Sequence, residues 1–106
     1  MVTRNVNREN ALRKGIYREA YNLVKEGWHV MANHIPGFNP PPEIEGYIPD
    51  IYAVKMNHTF ILYIATVAGF DSDKFAALKA YARYFSGMHF RCWLVDSSGR
   101  RIEKMA

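Results

Sequence analysis

The chain reads as an α/β sandwich, a mixed four-stranded sheet flanked by two helices. Three observations predict it. A helical hydrophobic period runs from Asn7 to Glu26; two apolar runs, 51–54 and 59–68, are separated by the polar stretch Lys55-Met56-Asn57-His58; and a second helical period from about Ser72 to Ser86 precedes one more apolar run. The order is helix, three strands, helix, strand. A meander followed by a helical crossover brings the last strand back into the same sheet, and such crossovers are right-handed.

In the first helix the apolar residues are Leu12, Ile16, Ala20, Leu23 and Val24, one stripe at i, i+4, i+8, i+11 and i+12, with Tyr17 and Tyr21 at its flanks. Asn7 is the expected N-cap and Gly27 the expected C-cap. Gly15 weakens the middle by about 1 kcal/mol relative to alanine, so this helix has to lean on tertiary packing. Trp28 to Ile35 alternates as a strand. Pro36 to Gly46, with three successive prolines, then breaks regular structure, because proline has no N–H to give a ladder. Long loops in small domains are often functional, although solvated surface is the plainer expectation for most of these residues.

Residues 51–54 and 59–68 form the predicted hairpin, its turn at Lys55 to His58. The second of these strands is apolar on both faces, which places it centrally with cover on both sides. Asp71 or Ser72 caps the second helix, whose buried stripe is Phe75, Leu78, Ala82 and Phe85 with Tyr81 beside it, and Gly87 ends it. His89 to Val95 is the fourth strand. The tail from Asp96 to Ala106 carries a Ser-Ser-Gly turn and a short stub with no assigned structure.

A chain of 106 residues, 49% of them hydrophobic, is long enough for a single domain to bury roughly two thirds of its unfolded surface without disulfides or metal. The longest apolar run, Phe60 to Phe70, is about half of what a bilayer requires, and Met1 to Asn5 has no signal-peptide core. The expectation is a soluble, cytoplasmic protein. The lone Cys92 excludes an intrachain disulfide framework and fits a small buried hydrophobe. His29, His34, His58 and His89 have no zinc-ligand spacing. The net charge of +4 is concentrated near the N-terminus, and Arg13, Lys14 and Arg18 are the candidate contacts for an anionic partner.

Asp50 enters an apolar strand directly after Pro49, and an unpaired buried charge is costly. Pro49-Asp50, twelve intervening residues, then Tyr63-Ile64-Ala65 resembles the PD-(D/E)XK, or restriction-endonuclease-like, superfamily, whose core has the αβββαβ order read above. The stretches Gly27 to Val30, Ala32 to Phe38 and Pro41 to Ala53 are similar to a small branch of nuclease-like proteins, and the resemblance spans most of Asn7 to Val95. It implies that Asp50 and a second acid on the next strand hold a divalent metal, with a lysine two positions on helping to activate water for phosphodiester hydrolysis. This chain has Tyr63 at the position of the acid and Ala65 at that of the lysine.

Three expectations follow. The first is a degenerate nuclease fold without a cofactor, serving as a binding module for nucleic acid or a protein partner, with Asp50 bonded to N–H groups of the turn and to the Tyr63 hydroxyl. The second is a divergent Mg²⁺-dependent nuclease rebuilt from Asp50 as metal ligand, Glu19 and Lys79, with Glu43 or Glu45 as further candidates from the loop; His34 and His58 are expected at the surface or partly buried. The third is a structural domain that self-associates as a homodimer through Phe90 to Val95 as an exposed sheet edge.

Overall fold

The computed structural model describes residues 4–106, with side chains from residue 9. Met1 to Thr3 of the N-terminal segment read above, and the side chains of Arg4 and Arg8, lie outside the described residues.

Helix α1 spans Arg4–Lys25 and buries Ala11, Ile16, Ala20 and Leu23 along one face. It begins before Asn7, so the expected N-cap lies within the helix. Its C-terminus is a Schellman motif: Trp28 N–H donates to the Leu23 carbonyl and Gly27 N–H to that of Val24, both at 3.0 Å. Gly27 closes the motif at φ +92°, which a residue with a Cβ adopts only under strain. Val24, expected in the apolar stripe, is 44% exposed, because one residue past Leu23 is a rotation of about 100° out of the face.

Strand β1 (His29–Ala32) pairs antiparallel with β2 (Ile51–Lys55), and β2 pairs antiparallel with β3 (His58–Thr66). Lys55 pairs with His58, so the hairpin turn is only Met56-Asn57, tighter than the four-residue turn expected, with Met56 at φ +55°. Helix α2 (Ser72–Arg83) carries the chain to β4 (Met88–Val95), which runs parallel to β3. β5 (Arg101–Lys104) then returns antiparallel to β4, and the spatial order is β1-β2-β3-β4-β5.

The sheet therefore has five strands, not four. All four residues of β5 are exposed, so no alternating burial marked it in the sequence; backbone pairing to β4 makes it a strand. Nor is the Phe90 to Val95 strand the outermost one. β5 pairs with its second half, and Cys92 exchanges main-chain hydrogen bonds with Met105 and Ala106.

β3 is central as expected, with Ile61 to Ala65 all buried. Alternation sends Leu62 and Ile64 toward the α1 layer, with Ile51, Ala53, Ile16 and Ala20. Ile61, Tyr63 and Ala65 join Leu78, Ala82 and Cys92 in the α2 layer. Asp71 caps α2, its Oδ1 accepting the N–H groups of Asp73 at 3.0 Å and Lys74 at 3.1 Å. The helix stops at Arg83, short of Ser86, so Phe85 lies beyond it and is half exposed. The proline-rich loop is pinned at its end, where Ile44 is buried and exchanges two backbone hydrogen bonds with Tyr47. Among the described residues no helix is long and apolar enough to cross a membrane.

Candidate functional site

Pro49 has no N–H to continue the β2–β3 ladder, and Asp50 takes over the pairing at that point. Its N–H donates to the Leu62 carbonyl at 2.9 Å, and its Oδ2 accepts the N–H of Ile64 at 2.7 Å. The carboxylate is thus bonded inside the sheet rather than to the turn. Tyr63 does not bond to it either: the Tyr63 hydroxyl accepts from the N–H of Asp71 at 2.8 Å, tying the end of β3 to the cap of α2.

Asp50 is buried, and burial pushes its carboxyl up to about 6 against the opposing pull of Lys74, the Ile64 N–H and His34. Glu19 and Lys79 are not among the groups acting on it. Lys74, which the sequence reading passed over, stands one turn before Leu78 on the buried stripe of α2, and its ammonium lies 4.7 Å from the centre of the Tyr63 ring. Lys79 instead lies over Phe75, at 5.5 Å.

Glu19 is buried, but its partner is Arg101 of β5, whose Nε and Nη2 donate to the two carboxylate oxygens at 2.7 and 2.5 Å. β2 and β5 are three strand spacings apart, roughly 14 Å, so this fork holds Glu19 away from Asp50. The acid of α1 that does share a cleft with Asp50 is Glu9. That cleft, of about 210 Å³, is also lined by Arg13, His34 and Asn33. His34 and His58 are both exposed; His34 lines the Asp50 cleft, whereas His58 stands at the far end of β3 against His89. Glu43 and Glu45 are exposed on the loop. Of the candidate anion contacts, Arg18 is bonded to the carbonyl of Gly99, while Arg13 and Lys14 line a surface hollow beside Tyr17.

Mg²⁺ requires several hard oxygen donors around it. At Asp50 the surroundings are the Ile64 N–H, the Lys74 ammonium, the Tyr63 ring and the Cys92 thiol, which burial and then the Asp50 charge push up to about 12, and the cleft adds Arg13, His34, Asn33 and one further acid, the exposed Glu9. Among the described residues no three His, Cys, Asp or Glu side chains converge as a metal-ligand group. These residues do not fit a magnesium site.

A pH-dependent stability follows from Asp50. Its carboxyl is raised from 3.8 to about 6, so the folded state binds the proton more tightly than the unfolded chain does between those values. The corresponding stability is present below the lower value and is lost as pH rises through the upper one. Asp50→Asn keeps an acceptor for Ile64 N–H and removes the charge. It should raise stability at neutral pH by about 1–3 kcal/mol, with the gain fading toward pH 4, as thermal denaturation across that range would measure.

Comparison with protein-family models, with curated proteins and with solved structures finds no match to this chain.

Proposed function

We propose that this chain is a catalytically degenerate domain of PD-(D/E)XK-like design, acting as a binding module for nucleic acid or a protein partner. One observation carries it: the carboxylate of Asp50 is committed to a backbone N–H, and the ammonium of Lys74 lies over the Tyr63 ring, where a nuclease would carry its second acid. The β3 positions that would supply the acid and the lysine are Tyr63 and Ala65, both buried in the apolar layer beneath α2. A half-buried lysine beside the Asp50 carboxylate provides positive charge without adding an oxygen donor for a metal.

The test is incubation of the purified protein with plasmid, single-stranded and branched DNA in Mg²⁺ or Mn²⁺, alongside thermal melting with and without the ions. Intact DNA and an unchanged melting temperature at millimolar metal are expected, since an ion bound to the folded state would raise the melting point. Metal-dependent cleavage that disappears in Asp50→Ala would overturn the proposal.

A further inference from the structure

The face of the sheet that carries α1 is only partly covered by it. α1 ends over β1, through the bond from Trp28 to Leu23, and Glu19 and Gly15 in its middle meet Arg101 and the turn at Gly99. The half nearest the start of β3 and β4 has no helix above it. A shallow cavity of about 290 Å³ there is lined by Trp28, His58, Phe60, His89 and Arg91, with no residue from α1.

Strand alternation brings three half-buried aromatic rings to this face: Trp28 before β1, Phe60 on β3 and Trp93 on β4. Phe60 is paired with His89, and Trp93 lies four residues further along β4, roughly 13 Å away. Arg91 stands between them. Each ring has a cation near it. The guanidinium of Arg91 is 5.9 Å from the centre of Phe60, and the ammonium of Lys55 is 5.9 Å from Trp28. Trp93 carries Arg101 at 3.8 Å and Lys104 at 5.8 Å. Glu19, the carboxylate in contact with this group, is neutralised by Arg101, and its fork fixes the guanidinium over Trp93.

We infer that this open sheet face binds single-stranded nucleic acid, its bases stacking on Phe60 and on the Arg101 guanidinium plane that covers Trp93, and its phosphates meeting Arg91, Lys104 and Lys55. Aromatic rings and guanidinium planes accept any base face, and adjacent cations neutralise the backbone. A duplex hides its base faces, and reading one takes a protruding helix or ribbon, which a flat sheet lacks. A protein partner of the usual kind would be met by a continuous apolar patch, whereas here a cation accompanies every ring. The inference rests on the binding-module proposal and adds its site and ligand. The row runs from Phe60, near the His58 end of β3, to Trp93, which pairs with Ile64 at the level of Asp50 but two strands away from it.

Fluorescence anisotropy with labelled oligothymidylate, oligouridylate and a DNA duplex, in EDTA, tests it independently of any cleavage. The single strands should bind more tightly than the duplex, with affinity falling steeply as salt rises. Phe60→Ala and Trp93→Ala should each weaken single-strand binding by about fivefold or more. Exposed Lys104→Glu, which leaves the core intact, should weaken it and flatten the salt slope by about one. Glu19→Gln, which frees Arg101 while leaving every cation in place, should weaken binding as well, and Arg83→Gln on α2 should not. Tighter binding to the duplex, no binding at low salt, or full affinity in both Lys104→Glu and Phe60→Ala would overturn the inference. Asp50-dependent cleavage would instead sink the proposed silence of the site and leave this face unaffected.

Discussion

Gly99→Ala is expected to destabilise the protein by about 3–5 kcal/mol, lowering the melting temperature by more than about 10 °C. Two effects add. Gly99 sits at φ +84°, where a side chain is strained, and an added Cβ would stand 2.7 Å from the backbone carbonyl of Ala11 and 3.0 Å from Cβ of Lys14. The carbonyl belongs to α1 and has little freedom to move aside. Opposite it is Gly15, where a Cβ would come within 3.4 Å of the Gly99 carbonyl. The helix glycine that weakens α1 is thus the point at which the 96–100 turn approaches it, and Arg18 bonds the same carbonyl. Asp96 shapes that turn by accepting the N–H groups of Ser98 at 2.9 Å and Arg100 at 3.0 Å. Thermal or urea denaturation measures the loss; a change under 1 kcal/mol would mean that the turn does not pack on α1 this way.

Removing Arg101 comes second. Arg101→Ala is expected to cost about 2–4 kcal/mol, because it leaves Glu19 buried without its partner; the half-exposed arginine puts this below the full cost of breaking a buried pair. Most of that loss belongs to the stranded carboxylate rather than to the attraction itself. The double substitution Glu19→Gln with Arg101→Ala should therefore recover stability over Arg101→Ala alone. If the two single losses simply add in a double-mutant cycle, the fork contributes nothing. The same variants bear on Trp93, whose ring lies beneath that guanidinium.

Much of the architecture was legible in the chain. Leu12 to Leu23 announces a helix by its spacing, Phe60 to Ala65 announces a doubly covered strand by its unbroken apolarity, and Asp71 announces the start of α2 by its capping chemistry. These signals are local, as each depends on residues a few positions apart. β5 was not legible, since Arg101-Ile102-Glu103-Lys104 buries nothing and is a strand only because β4 stands beside it.

The candidate site divides in the same way. Asp50 stands out in sequence because a charge follows a proline into an apolar run, and its burial agrees. Which cations and acids act on it was decided by the packing of elements far apart in the chain. Lys74 acts on Asp50 and Lys79 does not, because Lys74 falls a turn before Leu78 on the buried stripe. Glu19 turns to Arg101, 82 residues away, and Glu9 lines the Asp50 cleft in its place. Sequence by itself determined the helices, the central strand and the isolated carboxylate, since periodicity and capping act over one or two turns. Tertiary structure alone decided the fifth strand, the partner of every buried charge and the row of rings and cations on the open face, because strand register and helix placement bring those residues together across the sheet.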